Sequence, residues 1–149
     1  MGGGQDVPAR LRAAGLRVTP QRVAVLEALA ASSHPTADDI YRQVAQHHPG
    51  IGLATIYNTL ATLTERGQVL TVAAPDGRRY DLRTEEHQHI RCRRCGRWAD
   101  LPAWKDRDWQ ARATPAGWAV DDWTLLAEGL CPVCRAERPP STEGQSAEI

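Results

Sequence analysis

The chain has 149 residues and 42% hydrophobic content, which is enough for one ordinary domain or two small ones. No apolar run approaches the roughly 18 residues that span a bilayer. Because Met1-Gly2-Gly3-Gly4 does not open a signal peptide, we expect a cytoplasmic protein with no membrane partner. The net charge is zero, which argues against a strongly basic nucleic-acid-binding protein, although residues 1–83 carry nine Arg against seven acidic residues.

Helical periodicity and capping signals predict four helices in the first half of the chain. They cover residues 6–14, residues 20–31 after an N-cap at Thr19, a third helix that begins at Thr36, and residues 52–66. The side chains expected to face inward are Val7, Leu11 and Ala14 in the first helix, Val23, Leu26, Leu29 and Ala30 in the second, and Ile40, Tyr41 and Val44 in the third.

The fourth helix has one apolar face and one small, polar face. The apolar face carries Leu53, Ile56, Leu60 and Leu63, and the polar face carries Thr55, Asn58, Thr59, Thr62 and Arg66. An ordinary solvated face in so charged a protein would carry more Glu and Arg, whereas hydroxyls and an amide suit contact with base edges and phosphates. A merely solvated helix is the alternative interpretation.

Two short segments after these helices predict a β-hairpin. Residues 69–72 and 78–82 have strand character, and residues 73–77 between them contain an Asp-Gly turn signal. Helices followed by a hairpin predict a winged helix-turn-helix, in which the fourth helix is the recognition helix. Arg78 and Arg79 would then lie on the wing, within reach of backbone phosphate.

The rest of the chain predicts a second, small α/β domain, so that the whole is of the α+β class. The elements expected there are strands at residues 89–92, 96–101 and 118–126 and a helix at residues 104–113. The predicted organisation is a winged-helix domain at residues 1–82, a hinge at 83–87, the second domain at 88–137 and a disordered tail at 138–149.

All cysteines of the chain fall into two Cys-x-x-Cys pairs. The first pair is Cys92 and Cys95, and the second is Cys131 and Cys134. In a reducing compartment, paired knuckles of this spacing indicate zinc ligands rather than disulfides. Four thiolates complete a tetrahedral shell, which predicts a structural Zn²⁺ site with no position left for a substrate.

His87 and His89 predict a second metal site of different chemistry. On a strand, both imidazoles project from the same face and can chelate, although solvated loop histidines are the alternative. Asp81, Asp100 and His34 are further candidate ligands, and imidazoles with carboxylates suit Fe²⁺, Mn²⁺ or Zn²⁺. Alternatives of other classes are a metalloenzyme with an open His/carboxylate site and a zinc-stapled interaction module, but neither explains a polar helix followed by a wing.

Three segments of the chain together resemble the ferric uptake regulator (Fur) family of metal-dependent repressors. They are residues 33–41, residues 54–60, and the His-x-His pair that runs into Cys92-x-x-Cys95, within a similarity that covers about residues 7–135. The resemblance implies a homodimer built from an amino-terminal winged helix and a carboxy-terminal dimerisation domain. It also implies a double-stranded, pseudo-palindromic DNA operator as the partner, and no enzymatic activity.

Within this family, the chain is most similar to the peroxide-sensing PerR branch. The resemblance assigns the regulatory Fe²⁺ or Mn²⁺ to His34, Asp81, His87, His89 and Asp100. It also implies that peroxide oxidises His34 or His87, so that metal and DNA are released and genes of oxidative stress or metal homeostasis are expressed. Asp in place of Glu at position 100 and Asn in place of Arg at position 58 favour this branch. An iron-, manganese- or zinc-uptake regulator of the same family, without peroxide sensing, is the alternative.

The resemblance also predicts how DNA is bound and how many metals are held. The residues expected to contact DNA are Thr55, Tyr57 and Asn58 at the bases and Thr59, Arg78 and Arg79 at the phosphates. Trp123 and Gln88 stand where many relatives carry ligands of a third metal, so we expect two metals per subunit. Because the regulatory ligands come from both domains, metal binding should favour one domain orientation.

Overall fold

The computed structural model of the chain describes residues 6–121 and 123–137. It divides into two compact units between Glu86 and His87, inside the segment predicted as a hinge. Each unit combines helices with a small sheet, as the α+β class requires. Among the described residues, no helix combines the length and the apolar character needed to cross a membrane. The predicted tail at residues 138–149 lies outside the described residues.

Unit 1 begins with four helices whose starts follow local capping chemistry. The helices are α1 (Val7–Ala13), α2 (Pro20–Ala31), α3 (Ala37–Ala45) and α4 (Leu53–Glu65). The side chains of Asp6 and Thr19 cap α1 and α2, and Pro occupies the first turn of both helices. At α3, Thr36 and Asp39 form a reciprocal capping box. The four predicted helices are therefore confirmed, with ends that differ by at most one residue.

The core of unit 1 lies between these helices. Its fully buried side chains include Leu11, Val25, Leu26, Ile40, Ile56, Leu60 and Leu63. In α2 the predicted inward face is partly wrong, since Ala30 is exposed while Val25 and Ala28 are buried. The reason is that α2 packs against α1, α3 and α4, so its buried face is wider than one helical stripe.

A hairpin follows α4 and completes the predicted winged helix. Strands β1 (Leu70–Ala74) and β2 (Gly77–Asp81) are antiparallel, with Ala74 opposite Gly77 across a two-residue turn. Gly77 has φ 119°, a conformation that favours glycine. Strand β2 also binds the loop that precedes α3, because the amide of Tyr80 donates to the carbonyl oxygen of Pro35 at 3.0 Å.

The described residues of unit 2 form a three-stranded mixed sheet with two short helices. The strands are β3 (His87–Cys92), β4 (Trp98–Pro102) and β5 (Leu126–Gly129), in the order β4-β3-β5, and the helices are α5 (Arg107–Ala113) and α6 (Pro132–Ala136). β4 is antiparallel to β3, whereas β5 is parallel to it. The predicted strand at residues 118–126 is wrong over its described residues before Leu126, because β5 aligns with β3 so that Gly129 lies opposite Cys92.

Candidate metal centres and DNA-facing surface

The four cysteine side chains meet where β3 and β5 end. Cys92 is the last residue of β3, Cys131 is the N-cap of α6, and Cys134 lies within that helix. The parallel register places Gly129 opposite Cys92, which brings the second knuckle to the first. One sulfur atom from each of Cys92, Cys95, Cys131 and Cys134 lies within 4.8 Å of all the others.

The backbone around these sulfur atoms favours thiolates at two positions. The backbone amides of Cys95 and Cys131 hydrogen-bond to the sulfur of Cys92 and lower the pKa of that thiol to about 5. The amide of Cys134, which lies 3.5 Å from the sulfur of Cys131, lowers the pKa of Cys131 in the same way. Desolvation instead raises the pKa of the Cys134 thiol to about 12. Cys134 is therefore the ligand whose ionisation depends most on a bound cation.

The spacing of the cysteines fits a tetrahedral ion. A Zn²⁺ bound to sulfur at ~2.3 Å would hold its ligands about 3.8 Å apart. The sulfur atoms of Cys95 and Cys131 are 3.7 Å apart. Because the protein supplies all four ligands, such a site can stabilise the fold of unit 2 but offers a substrate no open position.

A second ligand pair belongs to unit 1. His34, in the loop between α2 and α3, is buried and has φ 50°, a left-handed conformation that few non-glycine residues adopt. Its Nε2 lies 3.2 Å from Oδ2 of Asp81 at the end of β2, and its Nδ1 lies 3.2 Å from the hydroxyl of Ser33. The other carboxylate oxygen of Asp81 accepts the amide of Arg83 at 2.8 Å. One imidazole nitrogen of His34 and one carboxylate oxygen of Asp81 therefore face each other, and the contacts with Ser33 and Arg83 fix the orientation of both side chains.

A third group of candidate ligands belongs to unit 2. His87 and His89 both lie on β3 and are buried, with ring centroids 4.4 Å apart, which confirms that they share a face of a strand. The register pairs His89 with Asp100 on β4, and Nε2 of His87 lies 3.8 Å from Oδ1 of Asp100. Two imidazoles and one carboxylate can therefore bind one divalent cation from this face.

Gln88 and Trp123 have structural contacts in unit 2. Gln88 lies between the two histidines on β3, so it projects from the opposite face, and its side-chain oxygen accepts the amide of Leu125 at 3.1 Å. The ring of Trp123 meets the edge of Trp109 with centroids 5.0 Å apart. These contacts hold the segment that leads into β5, and the absence of a third metal remains a prediction.

The polar face of α4 is narrower than the sequence predicted. Tyr57 and Asn58 are exposed and Thr55 is half-buried. Thr59 is only 3% exposed, so its placement on the outer face is wrong and its hydroxyl is not available to phosphate. Leu53, predicted to face inward, is 37% exposed because it opens the helix at the edge of the core.

The two wing arginines differ. Arg78 is exposed, and it borders a groove of about 490 Å³ between α4 and the wing. The other residues that line this groove are Tyr57, Asn58, Ala61, Thr64, Glu65 and Tyr80. Arg79 is only 17% exposed and pairs with Asp76 and, at 3.7 Å, with Asp39. The prediction that Arg79 contacts phosphate is therefore contradicted, since its guanidinium is committed within unit 1.

The sequence interpretation missed the residues that support His34. Besides Ser33, the guanidinium of Arg79 donates to the carbonyl oxygen of His34 at 3.2 Å. The capping signal at Thr36 and Asp39 marked the start of α3, but it did not reveal that Asp39 also faces Arg79. The pairing of Arg79 with Asp76 could have been predicted, because Asp76 lies three residues earlier in the turn of a tight hairpin.

Comparison with known proteins places this arrangement in a family. The sequence profile described as the ferric uptake regulator family matches residues 13–126. The chain belongs to the ferric uptake regulator family. Among its relatives, the peroxide operon regulator of Bacillus subtilis is 38% identical over 128 residues, which are 83% of this chain and 88% of that protein.

Two further comparisons agree with the family in sequence and fold. The peroxide-responsive repressor PerR of Staphylococcus epidermidis is 45% identical over 95 residues, a match that covers 62% of this chain and 63% of that protein. The chain thus spans less than two thirds of the length of that relative. The crystal structure of the Campylobacter jejuni peroxide stress regulator has 30% identity and a TM-score of 0.59, and the similarity covers 90% of this chain and 100% of that one.

Proposed function

We propose that this family member is a metal-dependent DNA-binding transcriptional repressor of the peroxide-sensing branch. It acts in the cytoplasm as a homodimer on a pseudo-palindromic operator. The observation that carries the proposal is that His34 and Asp81, an oriented ligand pair, are built into the same unit as the recognition helix and the wing. Ligation of this pair can therefore influence the elements that meet DNA. The relatives named for their response to peroxide support the branch.

The proposed structural ion is Zn²⁺ held by the four cysteines. The 3.7 Å separation of the sulfur atoms of Cys95 and Cys131 and the thiolate-favouring amides around Cys92 support this assignment. Unit 2 needs such a cross-link, because every residue of α5 is at least partly exposed and adds little core.

The proposed regulatory ion is Fe²⁺ or Mn²⁺ shared between the two units. The ligands are His34, Asp81, His87, His89 and Asp100. At this site unit 1 offers a single imidazole and a single carboxylate, and the two imidazoles and one carboxylate of unit 2 leave coordination positions open, so ligands from both units would complete the shell. Sharing the ion would select one domain orientation. A switch from roughly 1:99 to 99:1 needs about 5.5 kcal/mol of preference for that orientation, which several ligand bonds can supply.

The proposed DNA surface consists of the exposed part of α4 and the wing. The Asn58 amide suits adenine, and Thr55 and the ring of Tyr57 suit neighbouring base edges and methyl groups. Arg78 provides the phosphate contact, as an exposed guanidinium beside the groove next to α4. Thr59 and Arg79 are left out of this surface because they are buried or internally paired.

Peroxide sensing is proposed for the regulatory site. Fe²⁺, when bound there, supplies the reduction of hydrogen peroxide that leads to oxidation of a ligand imidazole. The protein contributes the imidazoles of His34 and His87, which are buried and would lie beside the bound cation. Loss of either ligand removes the cation and with it the preference for the DNA-binding orientation.

Elemental analysis and DNA binding test the function together. An operator is selected from a pool of random duplexes with Mn²⁺ present, and its affinity is then measured at fixed salt with Mn²⁺, with Fe²⁺ and after chelation. We expect two metal ions per subunit and tight binding only with the regulatory ion. DNA binding that is absent, or equally tight after chelation, would contradict the repressor.

Matched variants show which residues hold the ion. Asp81→Asn and His89→Gln should lose the regulatory ion and metal-dependent DNA binding but retain the ion of the four cysteines. His47→Gln is the control, because His47 is an exposed imidazole at the end of α3 and should change neither property. Equal metal content in all these variants would contradict the proposed set of ligands.

A further inference from the structure

Arg79 connects three parts of unit 1 that are distant along the chain. Its guanidinium donates to the carbonyl oxygen of His34 at 3.2 Å and pairs with Asp76 in the turn of the wing. Its Nη1 also lies 3.7 Å from Oδ2 of Asp39, in the first turn of α3. Because two carboxylates compensate its charge and 17% of the side chain is exposed, Arg79 acts as an internal connection.

The loop that carries His34 is held to β2 at consecutive positions. Arg79 binds the carbonyl of His34, and the amide of Tyr80 binds the carbonyl of Pro35 at 3.0 Å. His34 has φ 50°, so its backbone has few alternative conformations that keep both contacts. The carbonyl held by Arg79 and the imidazole beside Asp81 belong to the same residue, and a rotation of that residue would move both.

The third end of the connection is rigid. Oδ2 of Asp39 accepts the amide of Thr36 at 2.9 Å and its hydroxyl at 2.8 Å, within the capping box of α3. Arg79 therefore rests on a fixed helix terminus while its other contacts reach the His34 loop and the wing turn.

We propose that Arg79 is a positioning residue that couples ligation of His34 to the conformation of the wing. The inference rests on the proposed function and names a residue through which it acts. When His34 and Asp81 are drawn to a common cation, the His34 carbonyl is fixed, Arg79 is fixed with it, and Asp76 holds the wing turn. Arg78, which follows Asp76 by two residues, is thereby placed for phosphate. The guanidinium binds the carbonyl and the carboxylate through two nitrogen atoms in a fixed fork, whereas a lysine ammonium offers one nitrogen atom without that geometry.

The test measures the coupling factor, which is the ratio of operator affinities with and without Mn²⁺. Factors of about 5 to 150 are typical of such linkage between two sites. Asp76→Asn removes the wing end of the connection on an exposed turn and should lower the factor several-fold while Mn²⁺ affinity without DNA is unchanged. Arg79→Gln and Arg79→Lys should lower it as well. Asn58→Ala is the control, because its proposed base contact comes from α4 and not from the wing, so it should weaken DNA binding equally with and without Mn²⁺.

The outcomes separate this inference from the proposed function. If the unaltered protein shows no metal-dependent DNA binding, the proposed function fails and the inference fails with it. If the unaltered protein is metal-dependent but Asp76→Asn and Arg79→Lys keep its full coupling factor, only the role of Arg79 is overturned. Reciprocal titration of Mn²⁺ with and without operator must give the same factor for each variant. Should Arg79→Gln fail to fold, Asp76→Asn decides the question.

Discussion

The contrast between the two wing arginines gives a quantitative prediction about salt. Arg78 is exposed beside the groove next to α4, whereas the charge of Arg79 is compensated by Asp76 and Asp39. Each phosphate contact contributes about 0.9 to the slope of log affinity against log salt concentration. If the protein binds its operator as the proposed homodimer, loss of Arg78 from both subunits should make the slope smaller by about 1.8.

The assay is fluorescence anisotropy of the selected operator with saturating Mn²⁺, for the unaltered protein, Arg78→Gln and Arg79→Gln. Between about 50 and 200 mM KCl, affinity of the unaltered protein should fall about 12-fold more than that of Arg78→Gln. Arg79→Gln removes no phosphate contact of its own and affects only the placement of Arg78, so its slope should fall by less than that of Arg78→Gln. Equal slopes for the unaltered protein and Arg78→Gln, or a larger fall in slope for Arg79→Gln than for Arg78→Gln, would refute the assignment of the phosphate contact.

Three further variants test the metal sites and the start of α3. Cys131→Ser should lose one metal ion per subunit and lower the thermal stability of unit 2, and full metal content would contradict the four-cysteine site. Asp100→Glu should keep Mn²⁺-dependent DNA binding but reduce peroxide sensitivity, and unchanged histidine oxidation by mass spectrometry would count against this. The pKa of Asp39 in the folded protein is lowered below its usual 3.8, chiefly because the backbone amide of Thr36 donates to its carboxylate. The ionised carboxylate therefore stabilises the fold above pH 3.8. The gap in unfolding free energy between the unaltered protein and Asp39→Asn should therefore shrink as the pH falls through the folded-state pKa, and a constant gap in denaturant titrations would oppose it.

The fold of unit 1 could be predicted because its signals are local. Caps at Thr19 and Thr36 determine where helices begin, and the spacing of Ile56, Leu60 and Leu63 determines the centre of the buried face of α4. The edges of that face could not be predicted in the same way. Leu53 and Thr59 each lie about 60° from its centre on opposite sides, so tertiary neighbours decide which is buried.

Unit 2 was harder to predict because its sheet is organised by contacts between distant residues. Residues 118–126 have strand-forming side chains, yet β5 begins at Leu126, where pairing with β3 brings Cys131 towards Cys92. The internal pairing of the Arg79 guanidinium also depends on the tertiary structure, since its partners Asp39 and His34 lie far from it in the sequence. The ligand types and spacings of both metal sites were visible in the sequence, because ligation chemistry restricts residue identity.

The junction of the two knuckles has a consequence for the entropy of the unfolded chain. An ion that joins Cys95 to Cys131 closes a loop across 36 positions of the sequence. By the chain-entropy relation used for disulfides, a closure of this length removes about 4 kcal/mol of unfolded-state freedom. That loop contains β4, α5 and the whole of β5, so loss of the ion would restore conformational freedom to most of the described elements of unit 2 at once. Metal content and the folded structure of unit 2 should therefore be lost as one event.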